Sequence, residues 1–332
     1  MKRAGTTVAL TILFALLSLT PALGAQWHAS VGAQSKDKGR QALAFLPNEI
    51  WIHAGDSITW TFEVDEIHTV TFLTNGQTRL PFPVGCPGFS ASGATFDGST
   101  CVTTPPSVTG QTFGVLFPTS GNYKLVCLVH EDMTATVHVM DTSVALPHDQ
   151  QFYDRQAAEQ ARDLLSAPDR DGHDSEQAHD MGSGRHHDGT ANAVAVGIGK
   201  VVANAGGHQT VSLMRFVEPE TVIHAGGTVE WTNHDSITPH TITFGTEPAD
   251  PMPPSSNVTV DADGALHATI TSNSDSVHSG FIMSAPQERL FLPQAPLGTT
   301  RFRITFATPG VYSYICALHD NLGMKGRIIV LP

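Results

Sequence analysis

Two short stretches of this sequence gather side chains that bind soft metals. Cys127-Leu128-Val129-His130-Glu131-Asp132-Met133 offers a thiol, an imidazole and a thioether in quick succession. Cys316-Ala317-Leu318-His319-Asp320-Asn321-Leu322-Gly323-Met324 repeats the order with a longer step from His to Met. Upstream of each lies another histidine, at the head of an alternating segment: His68-Thr69-Val70-Thr71-Phe72 and His240-Thr241-Ile242-Thr243-Phe244. Two imidazoles and a thiolate in a trigonal set, with a long weak thioether on its axis, form the donor set of a mononuclear copper electron-transfer centre. Such donors suit both oxidation states of copper, so little moves when the electron does. One Cys-x-x-His with a nearby Met is a weak signal, but two copies in matching strand contexts are a specific one. The candidate ligands are therefore His68, Cys127, His130 and Met133 for one copper, and His240, Cys316, His319 and Met324 for a second.

These residues need rigid elements to hold them, and the chain supplies the same elements twice. Phe45-Leu46-Pro47 followed by Ile50-Trp51-Ile52-His53-Ala54-Gly55 is matched by Phe216-Val217-Glu218-Pro219 followed by Val222-Ile223-His224-Ala225-Gly226. Each copy continues into a β-rich stretch with a Trp (Trp60, Trp231), then the upstream His, and ends on Gly, Tyr, Cys, His and Met. Alternating β-branched runs punctuated by Gly, Pro and Asp predict short strands, and their spacing predicts an all-β Greek-key sandwich in each copy. The ligand Cys is expected to end one strand, with its loop folding back toward the upstream His. Expected boundaries are 25–141 for the first domain, 142–190 for a polar His/Asp-rich linker and 191–332 for the second domain. Within the linker, Phe152, Ala157, Ala161, Leu164 and Leu165 predict a short helix over Asp149 to Ser166, ended by Pro168. From Asp169 to Gly189 almost nothing could be buried, which predicts disorder and independent domains, unless the helix docks them.

The distant His followed by Cys-x-x-His and a nearby Met resembles the plastocyanin/azurin family of cupredoxins, over both halves but not the linker. The Cys316–Met324 loop is similar in length to those of plastocyanins and pseudoazurins, and the shorter Cys127–Met133 loop is similar to that of amicyanin. The resemblance implies an eight-stranded sandwich in each half, a type-1 copper in each, and electron transfer through the more exposed loop histidine, His130 or His319. One departure stands out. Many such proteins carry Asn directly after the first His, tying the ligand loops together, whereas Thr69 and Thr241 stand here. A Thr hydroxyl could do similar work.

Two further cysteines, Cys86 and Cys101, lie in a Gly/Ser/Pro-rich insertion of the first copy without a match in the second. In an oxidising compartment they are expected to form a disulfide, with a free or metal-binding pair as the alternative. The second copy has its own insertion, from Glu247 to about Gly298, which could cover the copper end, reach a partner or simply vary. Asn257-Val258-Thr259 matches a glycosylation sequon, a motif common by chance. His53 and His224 repeat as well. A second metal site is one reading, and a surface strand end is the plainer one. His234, between Asn233 and Asp235, is expected in a loop.

Residues 1–24 read as a signal peptide. Lys2 and Arg3 are followed by an apolar run from Val8 to Leu19 and by Ala22-Leu23-Gly24 at the cleavage position. Cleavage leaves no membrane span, whereas an uncleaved segment would be an anchor. The protein is then periplasmic or extracellular. The 332 residues carry a net charge of −13, or −15 once Lys2 and Arg3 are removed. That argues against nucleic acid as a partner, and the acidic surface could steer toward a basic partner patch or simply serve solubility. The electron-carrier reading implies a redox protein as partner, a cytochrome or another donor or acceptor. The expected role is electron carrier rather than enzyme. Multicopper oxidases and copper nitrite reductases need additional histidines for a catalytic copper, as His-x-His pairs or directly beside the ligand Cys. This sequence has no His-x-His, and Val126 and Ile315 precede the cysteines. Copper handling or storage is the other alternative, with His173, His179, Met181, His186 and His187 of the linker as loose ligands or merely part of a solvated spacer.

Overall fold

The computed structural model describes residues 24–80, 82–166, 192–204, 206–235, 237–284 and 300–332. The expected signal peptide, apart from Gly24, and the Asp169–Gly189 tract lie outside the described residues. In the first half the strands are β1 (Gln26–Gln34), β2 (Arg40–Leu46), β3 (Glu49–His53), β4 (Ser57–Phe62), β5 (Thr71–Phe72), β6 (Ala94–Thr95), β7 (Val102–Thr103), β8 (Thr112–Leu116), β9 (Gly121–Val126) and β10 (Thr134–Met140). Helix α1 spans Gln150–Leu165. The second half holds β11 (Asn192–Asn204), β12 (Gly207–Leu213), β13 (Glu220–His224), β14 (Thr228–His234), β15 (Thr243–Phe244), β16 (Thr259–Val260), β17 (Leu266–Ile270), β18 (Val277–His278), β19 (Arg301–Phe306), β20 (Gly310–Ile315) and β21 (Lys325–Leu331).

Each half is a two-layer sandwich. One layer of the first half is β3-β10-β9-β5-β7, and its counterpart is β13-β21-β20-β15-β18. The other layers, β2-β1-β4-β8-β6 and β12-β11-β14-β19-β17-β16, join edge to edge into one eleven-stranded sheet. The strict alternation of buried and half-buried residues in β3, β4, β14 and β19 follows from one face meeting the core and the other facing outward. Trp60, Phe62, Phe72, Phe96 and Phe117 fill one core, and Trp231, Phe244, Phe302, Phe306 and Tyr314 fill the other. Both halves close the strand carrying Cys the same way. Tyr123 donates its hydroxyl to the Thr119 carbonyl at 2.9 Å, and Tyr312 does so to Thr308 at 2.9 Å.

The resemblance implies eight strands per half, whereas among the described residues the first half has ten and the second eleven. The insertion of each half accounts for the difference. β6 runs parallel to β8 and β7 antiparallel to β5, and β17 and β18 repeat these pairings with β19 and β15. The insertions therefore hold corresponding strands, while the Cys86–Cys101 disulfide, with an S–S distance of 2.03 Å, belongs to the first copy and the edge strand β16 to the second.

Strand β2 does not alternate. Six of its seven residues are buried, because the face turned away from the core is covered by α1. Leu164 packs on Ala42, Ala44 and Leu46, with Ala157 and Ala161 alongside. Asp149 caps the helix by accepting from Phe152 N–H at 2.9 Å, as its position predicts. The domains are not independent. β2 and β12 pair antiparallel through Arg40↔Leu213, Gln41↔Ser212, Ala42↔Val211 and Leu43↔Thr210. Arg215 reinforces the joint, donating to the Asp37 carbonyl at 2.7 Å and the Leu322 carbonyl at 2.6 Å.

Candidate metal centres

In the first half, β9 ends at Val126, opposite Thr71 of β5. Cys127 is thereby set against the residues that lead into β5. His68 is fixed there by a two-bond bridge, its N–H to the Ser107 carbonyl at 3.0 Å and the Ser107 N–H back at 2.8 Å. Thr69 donates its backbone N–H to Cys127 Sγ at 3.4 Å, and its hydroxyl oxygen accepts from Leu128 N–H at 2.8 Å. The Thr hydroxyl thus ties the two ligand loops together. The loop then turns back, and Cys127 N–H reaches the Met133 carbonyl at 3.0 Å. His68 Nδ1 and His130 Nδ1 lie 3.0 Å apart, and 3.8 and 3.7 Å from Cys127 Sγ.

The second half repeats this construction. Ile315 ends β20 opposite Thr243, and His240 is bridged to Ile282 at 3.1 and 2.8 Å. Thr241 donates N–H to Cys316 Sγ at 3.3 Å and accepts from Ala317 N–H at 2.7 Å. The longer loop is taken up by a 3-10 turn over Asp320–Leu322. Gly323 closes it at φ 92°, a left-handed conformation that glycine adopts without a Cβ clash. His240 Nδ1 and His319 Nδ1 are 3.2 Å apart, and lie 3.9 and 3.4 Å from Cys316 Sγ.

Both donor sets are fully buried. Bond lengths like those of zinc, about 2.0 Å to imidazole and 2.3 Å to thiolate, call for donor separations of roughly 3.5–4 Å around a trigonal ion. The observed triads are close to that and each fits a single metal ion. Met133 and Met324 are fully buried in the same apolar clusters as Cys127 and Cys316. Burial alone would raise both thiols, but the facing imidazoles hold them well below the usual thiol range. Burial would likewise depress His130 and His319. The adjoining thiolate and a carboxylate instead raise them to about 9 and about 10.

That carboxylate, Glu66, has no part in the sequence reading. It is buried, with Oε1 3.3 Å from His130 Nε2 and Oε2 3.1 Å from His319 Nε2. His130 Nε2 meets Glu66 as a close ion-pair contact and makes no hydrogen bond. Burial raises the Glu66 carboxyl, yet His319 and His130 together hold it well below the usual range. The expectation that His130 and His319 are exposed is therefore corrected. They are 0 % and 3 % exposed, because the edge-to-edge joint turns both loop histidines inward.

The sites differ in their surroundings. Arg79 donates Nε and Nη2 to the Cys127 carbonyl at 3.1 and 3.0 Å. Buried Asp235 places Oδ2 3.6 Å from His240 Nε2, an ion-pair contact too long for a hydrogen bond, and buried His68 Nε2 likewise has no hydrogen-bond partner. Burial depresses His68, whereas at His240 the Asp235 and Cys316 contacts outweigh burial and raise it. A charged residue one loop away from a ligand leaves no local sequence signal, so neither Arg79 nor Asp235 was foreseeable.

A family profile described as copper binding proteins, plastocyanin/azurin family, matches residues 32–140 and 202–331. The chain belongs to this family. Each half of this cupredoxin carries one buried His-Cys-His group, two in a copper-binding family. Solved structures similar to part of the chain include an oxidized amicyanin variant, at 18% identity over 44% of this chain and 86% of the other, TM-score 0.22. A variant fern plastocyanin is similar at 21% identity over 42% of this chain and 98% of the other, TM-score 0.23.

Three further histidines that stand out in the sequence, His53, His224 and His234, fall outside these centres. His53 and His224 end β3 and β13, and each donates a ring N–H to a nearby backbone carbonyl, Val144 O at 2.7 Å and Pro332 O at 2.9 Å. His234 is not in a loop. It is the exposed last residue of β14, whose ladder with β11 carries it one residue further than the Asn and Asp around it suggest. Among the described residues no helix is long and apolar enough to cross a membrane.

Proposed function

We propose that this protein is an exported one-electron carrier with two mononuclear type-1 copper sites. His68, Cys127 and His130 bind the first copper and His240, Cys316 and His319 the second, with Met133 and Met324 as the weak axial donors. The observation that carries this reading is the pair of preformed, buried His-Cys-His triads, each tied by a Thr hydroxyl to the loop that bears its cysteine. Bound copper supplies a one-electron couple. The chain supplies rigidity, since every ligand sits at a strand end or on a backbone-bonded loop, and it excludes water from the thiolates. No His-x-His pair or His-Cys dipeptide is present to build a catalytic copper, so the role is a carrier and not an oxidase or nitrite reductase. The N-terminal segment supports export to the periplasm or extracellular space, where a redox protein, a cytochrome or another carrier, exchanges electrons with it.

Copper loading of the mature protein tests this directly. A strong thiolate-to-Cu(II) absorption is expected. Cys127→Ala and Cys316→Ala should each remove one contribution, and the double variant both. A colourless Cu(II)-loaded wild type would sink the assignment.

A further inference from the structure

The loop histidine through which a cupredoxin resembling this one is expected to meet its partner is, in both halves, turned toward the other half. What lies between them is one side chain. Glu66 is the sole carboxylate in contact with His130 and His319 among the described residues, and its two oxygens are divided between them, at 3.3 and 3.1 Å. Its own position is fixed, because its backbone N–H donates to Gln41 Oε1 at 3.2 Å, and Gln41 lies on β2 at the joint of the two halves. Both imidazoles present Nδ1 to their own cysteine, so Nε2 is the atom left to face the interface. With Nδ1 on a metal, the neutral imidazole carries its proton on Nε2 and donates it. An ionised carboxylate accepts from two such donors with no proton to spare.

We propose that Glu66 joins the two metal centres into one internally exchanging pair, serving as the bridge from His130 to His319. This rests on the two-copper reading above. The exchange is balanced as a bare electron transfer. The reduced site loses one electron, the oxidised site gains it, and both Nε2 protons stay in place. The bridge consists of one buried carboxylate in direct contact with both imidazoles. Glu66 acts through the ligand histidines and binds no copper itself, so it is a positioning residue.

The test uses the full, copper-loaded chain with both sites oxidised, reduced substoichiometrically by a flash-generated flavin radical. Cys127→Ala and Cys316→Ala proteins supply the reference spectrum of each site. Wild type should show a re-equilibration between sites whose rate is independent of protein concentration. Glu66→Gln offers one acceptor oxygen in place of two and should slow this phase. Glu66→Ala should abolish it, while both thiolate bands persist. In Cu(I)-loaded protein, nitrogen-15 spectra should show two exchange-protected Nε2–H groups in wild type and lose that protection in Glu66→Ala, a signature that mere packing would not move. Amide protection of Ala42 and Val211 reports that the halves stay docked, and if Glu66→Ala releases them, Glu66→Gln decides. An unchanged rate in Glu66→Gln with both bands intact overturns the bridge, as does a wild type without the concentration-independent phase. Missing thiolate bands would instead defeat the copper reading itself.

Discussion

Asp235 should set the potential of the second-domain site, and replacing it by Asn should raise that potential. The carboxylate is 1 % exposed, and its Oδ2 lies 3.6 Å from His240 Nε2 on the far side of the ring from the metal position. Adding the width of the ring and a metal–nitrogen bond of about 2.0 Å places the charge on the order of 7 Å from the ion. At an effective dielectric near 20, a unit charge at that separation is worth about 2 kcal/mol per unit change at the metal. For a one-electron couple this is roughly 100 mV, given ~59 mV for each tenfold in equilibrium constant. The sign follows from which state carries more positive charge: Cu(II) gains more from the carboxylate than Cu(I), so losing it favours reduction. Asn retains the oxygen that accepts from Ile237 N–H at 2.8 Å and Thr238 N–H at 2.9 Å, so the loop should hold. Spectroelectrochemical titration of Asp235→Asn in the Cys127→Ala background isolates the affected site. A downward shift, or one under about 20 mV, would refute a direct electrostatic role at these distances.

The first site should respond in the opposite sense. Arg79→Met removes a cation bonded to the Cys127 carbonyl and should lower that site's potential, seen in the same titration with Cys316→Ala. Together Arg79 and Asp235 place the resting electron in the first domain, so substoichiometric reduction should bleach the Cys127 band first. Copper loading near pH 7 should release about one proton at the first site, from His130, and more at the second, where His240 as well as His319 is raised; these protons come from imidazolium rather than thiol, because metal ligands must be deprotonated. The release should fade above about pH 9 at His130 and about pH 10 at His319, and copper affinity should fall as pH drops below these values. Potentiometric loading measures both effects. Replacing Cys86 and Cys101 by Ser opens a loop of 15 residues and should cost the first half about 3 kcal/mol in denaturant melts, leaving the second unchanged.

Much of this architecture is legible in the sequence because it is local or repeated. The Cys-x-x-His spacing sets each loop histidine beside its own thiolate, and the alternation leading into His68 and His240 gives the strand context. Helix α1 is legible from its apolar spacing and its Asp149 cap. What escapes is whatever depends on the two halves meeting. The unbroken apolar run of β2 records burial on both faces, but only the packed structure shows that α1 covers one face while β12 takes the free edge. Glu66 reads as one more acid in a polar turn until that edge pairing carries His319 to it. The same pairing hides His130 and His319, which is why an exposure inferred from single-domain resemblance fails.

The β2–β12 ladder has a property that only the repeat reveals. Gln41 pairs with Ser212, and each lies four residues before the phenylalanine, Phe45 or Phe216, that marks the same point in its repeat. Equivalent residues facing each other is the mark of a two-fold axis, so the chain is built like a homodimer whose subunits have been tethered. A true homodimer must duplicate whatever stands beside its axis. Two Glu66 carboxylates there would oppose each other in a buried space, a like-charge arrangement that ionises only at high cost. Here the second repeat places Thr238 two residues before its ligand histidine, where the first has Glu66. Thr238 turns to Ser212 at 2.9 Å, while neighbouring Ile237 packs into the first domain's core. Joining the copies in one chain released the two halves from identity, and a single negative charge could then stand between two metal sites.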